Sequence, residues 1–456
     1  MDGMSRSAGR IHLLCNGLSA IFLLSMLLSC AGKESPPEVI SPPTAQTPTP
    51  APPIEEAPAP TPITPMPFVA VKLLQIADSL IIRPSPGDSL IVRFLYNGAG
   101  ITNHRTPSSV SASLKGGWID LHKQGQGPLE TGLSRASISP AKEGSYLYLN
   151  GKPYRGSLTL LPAQGLDPNT IPVNLVAINF VQIEEYLRGV VPGEIGNLGR
   201  DEIEAIKVQA VAARTYALSR LGQFAEWGYD LEATVKDQLY LGVEGEAPLA
   251  DEAIEATRGV VMTNGGLPIN AYYHANCGGK TEYIERIWDK PAQPYLIPVE
   301  DSYCDWAPSF RWEETWRPED LVRNLSAFLD TVVVIPETGL GPLLDLRVAS
   351  RSPSGRVESL EAVTAAGTYT IGKDRIRWAM KRGNNPNRLL RSTLFDIEVV
   401  HGGDGKVEKI TAHGFGTGHG VGMCQTGAIG MARHGFSWEE ILTRYYPGVE
   451  FQRWGD

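Results

Sequence analysis

The sequence predicts an α+β protein with a strand-rich N-terminal part, a central helical region and a β-rich inserted subdomain. Three observations carry this prediction. Residues 68–183 are rich in β-branched residues between turn signals, residues 201–221 have helical periodicity, and residues 318–400 contain a helix-like stretch followed by strand-like stretches. The chain has 456 residues, of which 42% are hydrophobic, so it can bury a full core.

The first residues have the features of a secretion signal. Arg6 and Arg10 precede a mostly apolar run at 18–28, and Cys30 follows closely. A charged start, a short apolar core and a small residue at the break are typical of a signal peptide. The position of the Cys resembles the bacterial lipoprotein signal, so we expect residues 1–29 to be removed and Cys30 to carry lipid. A membrane anchor is the alternative, but the run is short for a span.

Residues 30–67 predict a proline-rich linker. Such sequence is extended at about 3 Å per residue, so the tether can reach on the order of 100 Å. A lipid anchor and a stiff spacer indicate a target held away from the membrane, although linkers of this kind are common. We expect a cell-envelope protein. Because Ala31 is not an Asp-type retention signal, the periplasmic side of the outer membrane is favoured where one exists, and otherwise the outer face of the cytoplasmic membrane.

Local signals place several elements of the folded part. Asn150 and Gly151 lie between two apolar stretches, and this dipeptide is the strongest short hairpin signal. Residues 251–265 predict a short helix followed by a strand. Residues 437–448 predict a helix that ends at a Pro-Gly pair.

The helix predicted at 201–221 has one unusual residue. Asp201 is expected as the N-cap, with Glu204 completing a capping box, and Gly222 suits the C-terminal stop. Arg214 falls on the apolar face, where a guanidinium needs a partner. Either Arg214 points into a functional cleft, or it forms a structural ion pair or extends its head to solvent.

The composition disfavours a nucleic-acid partner. The formal net charge is -9, and the sequence contains no cluster of basic residues that would outweigh this negative charge. Nucleic-acid-binding proteins usually show a basic stripe.

Three stretches concentrate chemistry-bearing residues. They are VVPGEIG at 190–196, YYHANCGGKTE at 272–282 and GFGTGHGVGMCQTGA at 414–428. The first is expected to be a Pro-Gly turn that carries one acid, Glu194, among apolar residues. That acid is either a solvated turn residue or a carboxyl kept protonated near neutral pH. The third has six glycines in fifteen residues, which indicates unusual backbone conformations or close approach to a ligand. It lacks the phosphate-loop spacing.

With IKVQAVAARTYAL at 206–218, these stretches resemble, in the same order, the stage II sporulation protein D and amidase-enhancer family. The resemblance covers residues 68–456. Its best understood members are lytic transglycosylases that cleave peptidoglycan strands lacking stem peptides, and others enhance cell-wall amidases. The resemblance implies a catalytic domain at 68–456. Residues 318–400 are a candidate docking subdomain within it.

The resemblance also implies roles for single residues. Glu194 matches the catalytic acid and would act as the single general acid and base, yielding a 1,6-anhydro-muramic acid product. Arg214 and Gln209 would hold substrate. From their residue types, Tyr273 is expected to stack on a sugar ring and His419 to contact substrate or metal; the alternatives are a core aromatic and a histidine satisfied within the glycine-rich loop. The expected partners are glycan strands. The alternative is a non-catalytic, glycan-binding enhancer of a cell-wall amidase. A zinc hydrolase is disfavoured, because catalytic zinc usually has His and carboxylate ligands.

Three cysteines belong to the mature fold, namely Cys277, Cys304 and Cys424. An odd number outside the cytoplasm leaves one thiol over if a disulfide forms. Three thiolates and one imidazole would instead make a closed, structural zinc site, and His274 lies at a suitable spacing. We expect this zinc site, with His419 as the alternative imidazole. The competing interpretation is a Cys277–Cys304 disulfide with Cys424 buried.

Overall fold

The computed structural model describes residues 66–76, 79–96, 99–163 and 171–455. The expected signal peptide, the lipidated Cys30 and all but the last two residues of the expected linker lie outside these ranges. Within them, no helix combines the length and the apolar character that crossing a membrane requires.

Strands dominate the first part of the chain and recur to its end. In order they are β1 Phe68–Ile76, β2 Leu80–Pro84, β3 Leu90–Tyr96, β4 Ala99–Thr106, β5 Val110–Lys115, β6 Trp118–Lys123, β7 Pro128–Leu133, β8 Arg135–Pro140, β9 Tyr146–Leu149, β10 Lys152–Arg155, β11 Ser157–Pro162, β12 Leu175–Gln182, β13 Leu231–Glu232, β14 Val260–Asn264, β15 Leu267–Pro268, β16 Tyr273–His274, β17 Arg311–Trp316, β18 Leu343–Arg351, β19 Val357–Thr364, β20 Gly367–Gly372, β21 Phe395–His401, β22 Val407–Phe415, β23 Met423–Cys424 and β24 Glu450–Arg453.

Helices begin only after β12. They are α1 Ile183–Ile195, α2 Ile203–Ser219, α3 Pro248–Ala256, α4 Ile284–Ile287, α5 Pro318–Leu329, α6 Arg375–Met380, α7 Gln425–Arg433 and α8 Trp438–Tyr445. Short 3-10 turns lie at Arg200–Glu202, Ala225–Trp227 and Gly242–Gly245. Strands first and helices later confirm the α+β class predicted from the sequence.

Two antiparallel sheets share the N-terminal core. Their strand orders are β13-β1-β12-β11-β8-β3-β4, with β13 parallel to β1, and β10-β9-β2-β5-β6-β7. Strands such as β2 and β5 alternate buried and more exposed positions, as a sheet with one face in the core requires. The hairpin signal is confirmed, since Asn150 and Gly151 have positive φ between β9 and β10.

Helix α1 corrects the expected Pro-Gly turn. It follows β12 directly, and the Gln182 side chain caps it by accepting hydrogen bonds from the first-turn amides of Glu184 and Glu185. Pro192 lies inside the helix, in its last turn, where a missing N–H removes only one of the final hydrogen bonds. Gly196, at φ 84, ends the helix. Residues 190–195 are therefore helical.

Helix α2 confirms the predicted helix, but its start differs from the prediction. The backbone N–H of Gly199 donates to the Glu202 carboxylate at 2.6 Å, so the box closes two residues earlier than expected. Glu204 instead accepts from Lys207 and from the backbone of Trp438. Nearly the whole of α2 is buried, because α1, α3, α7 and α8 pack around it.

A second hydrophobic core lies within residues 312–412. It is built by the three-stranded sheets β17-β22-β21 and β18-β19-β20 with helices α5 and α6. The predicted helix at 318 and the strand-turn-strand after it are both present. The core extends beyond the expected 318–400 boundaries on both sides, because β17 and β22 pair with each other. Its docking role stays a prediction.

Two short strands bring the second and third motif stretches together. Strands β16 and β23 pair in parallel, with Tyr273 opposite Met423 and His274 opposite Cys424. This pairing joins segments about 150 residues apart, and it sets the second and third motif stretches side by side at the C-terminal end of α1.

Candidate active site

An open cleft of about 610 Å³ lies where the motif stretches meet. Helix α1 contributes Glu194, the β16 segment contributes Tyr273 and His274, and the glycine-rich segment contributes His419 and Gln425. The remaining wall is formed mainly by aromatic and charged side chains, namely Tyr216, Lys236, Asp237, Tyr272, Trp288, Asp374, Arg377 and Trp378. The three stretches singled out in the sequence thus form one surface.

Glu194 occupies the last turn of α1, and its carboxyl group is half-buried in the cleft. It accepts a hydrogen bond from the backbone N–H of Leu239 at 2.5 Å and another from the Tyr273 hydroxyl. Burial raises the pKa of the Glu194 carboxyl above its ordinary value, and these two donors only partly offset that effect. The carboxyl group can therefore hold a proton near neutral pH. When it loses that proton, the two hydrogen-bond donors stabilise the carboxylate.

Glycine in α1 makes the Leu239 contact possible. A Cβ at Gly193 would lie 3.1 Å from the carbonyl oxygen of Leu239, and one at Gly189 would lie 2.7 Å from that of Gly242. Both separations are too tight for ordinary packing. The glycine of the Pro-Gly pair thus serves close approach of the 239–242 backbone rather than a turn.

A buried glutamine orients Tyr273. The Gln238 side chain accepts from the Tyr186 hydroxyl at 3.0 Å, and its amide N–H groups donate to Ala213 and to the Tyr273 hydroxyl oxygen. Because that oxygen already accepts from Gln238, the tyrosine proton is directed elsewhere, and Glu194 is its acceptor. Tyr273 therefore contacts the acid as well as the cleft.

Both cleft histidines are neutral near pH 7. Burial lowers the pKa of His419 to about 4, and burial followed by the neighbouring His419 lowers the pKa of His274 well below its ordinary value. The Nδ1 of His419 accepts from the Val421 N–H at 3.1 Å, so its proton is on Nε2. The Nδ1 of His274 lies 3.2 Å from the Val421 carbonyl and must carry the proton. Its buried Nε2 has no partner among the described residues and is free to accept a hydrogen bond.

Gln209 lies behind the cleft. Its side-chain oxygen accepts a hydrogen bond from the Gln425 amide at 3.1 Å, and the same amide group donates to the backbone oxygen of Glu194. Gln209 is fully buried, whereas Gln425 lines the cleft. Gln209 therefore supports a cleft residue and does not itself line the cavity.

Arg214 is absent from the cleft lining, which corrects the expectation that it holds substrate. It is fully buried, and its guanidinium pairs with both carboxylate oxygens of Glu184, at 2.8 and 2.7 Å. It also donates to the carbonyls of Val260 and Ile254. Of the alternatives left open by the sequence, the structure contains the ion pair, which ties the first turn of α1 to α2.

The three cysteines form a cluster with Asp301, and this corrects the expected imidazole ligand. One sulfur or oxygen atom from each of Cys277, Cys304, Cys424 and Asp301 lies within 4.8 Å of the others. His274 lies outside this group, because its ring turns toward Val421 and the cleft. His419, the alternative imidazole, likewise lines the cleft.

Cys277, Cys304 and Cys424 form no disulfide in this fold. The sulfurs of Cys277 and Cys304 are 3.5 Å apart, well beyond the roughly 2 Å of a disulfide bond. Hydrogen bonding with Cys277, and next with Cys424, lowers the pKa of Cys304 to about 3. Burial raises the pKa of Cys277 and of Cys424 well above the ordinary value.

Asp301 was missed by sequence reasoning. It accepts from the Cys277 thiol at 3.1 Å and from the Tyr445 hydroxyl at 2.9 Å, deep in the core. The available signal was its position three residues before Cys304, the same spacing that separates His274 from Cys277. Gln238 and Tyr272 were also missed, since neither lies at a position that periodicity marks.

The fold and the site together define an α+β protein whose open cleft holds a half-buried acid between two hydrogen-bond donors. Comparison with known sequences identifies the families whose profiles match this chain. The family profile described as Stage II sporulation protein matches residues 173–264, which contain Glu194 and α2. A second profile, a domain of unknown function (DUF8618), matches residues 304–422 and so includes the second core.

Several relatives align over much of the chain. An uncharacterized protein of Brachyspira hyodysenteriae is 32% identical over 303 residues, which cover 66% of this chain and 73% of the relative. Stage II sporulation protein D of Bacillus subtilis is 27% identical over 301 residues, covering 62% and 79%. The amidase enhancer of Bacillus subtilis is 28% identical over 294 residues, but the match spans only 40% of its length.

The chain therefore belongs to the stage II sporulation protein D and amidase-enhancer family. This membership supports a cell-wall-related role and a location in the envelope or outside the cell.

Proposed function

We propose that this protein cleaves peptidoglycan glycan strands as a lytic transglycosylase, with Glu194 as the single general acid and base. One observation carries the proposal. The Glu194 carboxyl faces an open cleft, burial raises its pKa, and two donors await its conjugate base. A group of this kind can give up a proton and take one back within a single catalytic cycle.

The proton balance closes without water. Glu194 protonates the glycosidic oxygen as the bond to the muramic acid C1 breaks. The 6-hydroxyl of the same muramic acid then forms a bond to C1, giving the 1,6-anhydro ring, and its proton returns to Glu194. Between the two transfers, the carboxylate is stabilised by the Leu239 N–H and the Tyr273 hydroxyl.

The other cleft carboxylates are already engaged. Asp237 accepts from the Tyr216 hydroxyl at 3.1 Å and from the Glu232 backbone at 2.9 Å, and Asp374 is paired with Arg377. A hydrolytic glycosidase needs a second carboxylate to hold water or form the intermediate. The occupied state of these two groups favours the mechanism that uses one acid.

Product analysis tests the proposal. The protein would be incubated with glycan strands that carry stem peptides and with strands stripped of them, and the fragments would be weighed by mass spectrometry. We expect 1,6-anhydro ends from wild type, none from Glu194→Gln, and anhydro ends from the matched variant Asp237→Asn. Reducing ends that vanish in Asp237→Asn would establish hydrolysis with Asp237 as the second carboxylate and would refute the transglycosylase mechanism.

The name of one relative favours a second candidate. A protein called amidase enhancer aligns with 58% of this chain, so the cleft can be proposed as a glycan-binding site that raises the activity of a cell-wall amidase. Tight strand binding without any cleavage, together with faster turnover by an added amidase, would favour this alternative. Binding that survives in Glu194→Gln would fit it, because the acid would then have no chemical role.

We also propose that the Cys277, Cys304, Cys424 and Asp301 cluster holds a structural zinc ion. The donor set fits, because tetrahedral zinc with thiolate ligands at 2.3 Å places neighbouring sulfurs about 3.8 Å apart, close to the 3.5 Å between Cys277 and Cys304. Four protein ligands would leave no open position. When bound, zinc would crosslink the segment after β16 to the start of α7, next to the cleft.

Metal analysis of protein purified without chelator tests the zinc proposal. We expect about one zinc per chain in wild type and a strong loss in Cys424→Ser and in Asp301→Ala, but not in His274→Ala. Zinc below about 0.2 per chain, with three titratable thiols after unfolding, would contradict the proposal. Equal loss in His274→Ala would restore the imidazole to the ligand set.

We further propose that a lipid on Cys30 anchors the mature chain to a membrane. The N-terminal sequence motivates it, and the envelope location that the family supports is consistent with it. The mature chain would then sit on the periplasmic side of the outer membrane, or on the outer face of the cytoplasmic membrane. Mass spectrometry of the N-terminal peptide from expressed full-length chain should show diacylglycerol on Cys30, and an unmodified Cys30 would contradict it.

A further inference from the structure

A turn of the second core reaches into the segment that carries the cluster of three cysteines and an aspartate. The turn, residues 352–356, connects β18 to β19. Its Arg356 side chain is almost fully buried, and the Nη2 group donates hydrogen bonds to the carbonyl oxygens of Cys277 at 2.6 Å and Lys280 at 3.2 Å. The guanidinium therefore holds both ends of the 277–280 loop, whose first residue is a member of the cluster.

The same loop contacts a second member of the cluster. The carbonyl oxygen of Gly279 accepts a hydrogen bond from the backbone N–H of Asp301 at 2.9 Å. On its other side, the guanidinium packs on the glycine-rich segment, where a Cβ at Gly420 would lie 2.5 Å from the guanidinium carbon. Arg356 is therefore enclosed between this loop and the glycine-rich segment, beside two of the residues that would hold metal.

Two serines of the turn hold the next part of the segment. The hydroxyls of Ser352 and Ser354 both donate to the carboxylate of Glu282, which is buried. The backbone N–H of Glu282 in turn donates to the carbonyl oxygen of Gly420 at 2.8 Å. Side chains from one short turn thus fasten the second core to residues 277–282.

The guanidinium of Arg356 is incompletely paired. Two carboxylates face it, but the two serines engage Glu282, and Asp374 pairs with Arg377 at 3.0 Å. The Nε and Nη1 atoms of Arg356 are buried and have no hydrogen-bond partner among the described residues. Burial lowers the pKa of the guanidinium, and a thiolate at Cys277 would oppose that effect more strongly than either carboxylate. A buried cation of this kind is favourable where further negative charge lies close to it.

We propose that Arg356 stabilises the metal bound by the cluster, and that the second core thereby controls how firmly the metal is held. This inference rests on the zinc site proposed above. Three thiolates, one carboxylate and a divalent zinc ion carry a net charge of about -2. Such a charge is costly in a buried site unless cations or N–H donors lie close to it. Arg356 supplies positive charge, and its hydrogen bonds to the loop position the Cys277 thiolate.

This role gives the second core a task other than docking. The profile of unknown function matches residues 304–422, which include both Cys304 and the turn at 352–356. That part of the chain would therefore supply one metal ligand and the cation that supports another. Displacing the turn would weaken metal binding, and with it the contact between the segments that follow β16 and β23.

Metal competition on the full chain tests the inference without any measurement of activity. Zinc-loaded wild type, Arg356→Gln and Arg356→Lys would be titrated at pH 7 with a chromophoric chelator to obtain their zinc affinities. We expect Arg356→Gln, which retains a donor but no charge, to bind zinc about tenfold to a hundredfold more weakly than wild type. Arg356→Lys retains the charge, so its affinity should lie closer to that of wild type. Ser354→Ala, a milder change that loosens the turn and leaves Arg356 in place, should weaken zinc binding by a smaller factor.

Arg214→Gln is the matched control, because Arg214 is equally buried but pairs with Glu184 and contacts none of the four proposed ligands. Both arginine variants should unfold more easily than wild type. Only Arg356→Gln should also lose part of the added resistance to urea that zinc confers on the metal-free chain, because that increment follows zinc affinity.

Two results would overturn the inference. One is a zinc affinity equal to that of wild type in Arg356→Gln, or in Ser354→Ala should Arg356→Gln fail to fold. The other is an equal loss of the zinc-dependent increment in Arg356→Gln and Arg214→Gln, which would indicate general destabilisation. Wild type that binds no zinc would reject the zinc site itself and this inference with it, whereas wild type that binds zinc as tightly as Arg356→Gln would reject only the role of Arg356.

Discussion

The side-chain amide of Gln238 donates a hydrogen bond to the hydroxyl oxygen of Tyr273 at 3.0 Å. This contact decides the direction of the tyrosine proton, because the oxygen acts as acceptor toward Gln238 and as donor toward Glu194. The side chain of Gln238, which is fully buried outside the cleft, thus orients the hydroxyl that donates a hydrogen bond to the cleft acid. Gln238 is a positioning residue, and its effect should appear in the pH dependence of the reaction.

Replacing Tyr273 by Phe, or Gln238 by Leu, should therefore alter the pH–rate profile of glycan cleavage. The hydrogen bond from Tyr273 lowers the pKa of Glu194 against the larger effect of burial. Its loss should move the alkaline limb of the profile to higher pH and lower the maximal rate by about tenfold to a hundredfold, as the conjugate base loses a donor. Initial rates between pH 4 and 9 measure both effects. If the cleavage rate fell in both variants but the alkaline limb of the profile did not move, Tyr273 and Gln238 would have a merely structural role.

Glu194 should make the protein less stable as pH rises through the weakly acidic range. Because burial raises its pKa in the folded state, the unfolded chain releases this proton first, so stability falls from the ordinary glutamate pKa up to the raised one and then levels off. Glu194→Gln should remove that decline, and the variant should gain stability relative to wild type across this window. Urea unfolding at pH 4, 5, 6 and 7 measures the difference.

Glu202→Gln gives a control of opposite sign. Although burial alone would raise it, the Gly199 N–H and Arg433 hold the pKa of Glu202 below its ordinary value. Its contribution to stability is present above the ordinary glutamate pKa and lost as pH falls through the lowered one. Glu202→Gln should therefore lose stability relative to wild type at pH 7. The same direction of change in both variants would contradict the assignment for Glu194.

The Arg214–Glu184 pair should matter for stability and little for substrate. Removing one partner leaves a buried charge unpaired, so Arg214→Met should reduce the free energy of unfolding by about 3 to 5 kcal/mol. The double variant Arg214→Met with Glu184→Leu should recover part of that loss. Chemical denaturation measures both, and glycan affinity of the folded fraction at low temperature checks the second point. If Arg214→Met bound glycan more weakly but were as stable as wild type, a substrate-binding role for Arg214 would be supported instead.

The first turn of α7 leaves no room for a side chain at Gly427. A Cβ there would overlap the Tyr445 hydroxyl and the Asp301 carboxylate. Gly427→Ala should cost about 1 to 3 kcal/mol through overpacking and should lower the zinc content by displacing Asp301. Thermal unfolding and metal analysis measure the two effects. Gly403→Ala is the matched control, because a Cβ at Gly403 meets open space. Similar losses in both variants would contradict the packing argument.

Local signals in the sequence predicted the elements that local physics determines. The Asn150-Gly151 hairpin, helix α2 and the helix-strand pair α3 and β14 form where turn residues and periodicity place them. The segment at 190–196 differs, because its Pro-Gly pair suggests a turn. It is helical since Gln182 caps α1 eight residues upstream and since glycine there admits the 239–242 backbone. Neither fact is visible in a short window.

The site was predictable in its motif residues and not in their partners. Glu194, Tyr273 and His419 were expected in one cleft, and the structure brings them together. Gln238 and Asp301 could not be found, because their roles arise from contacts with residues far along the chain. Periodicity placed Arg214 on a buried face but could not show that Glu184 would meet it there.

The parallel pairing of β16 with β23 has a consequence for the order in which the molecule becomes competent. Synthesis proceeds from the N-terminus, so Glu194 is made before the segment that contains His419 and Gln425. Contacts between segments so distant in sequence close late, because they require the ordering of the chain between them. The cleft is therefore finished by nearly the last part of the chain to arrive. A nascent or C-terminally truncated chain would carry the acid without the walls that surround it.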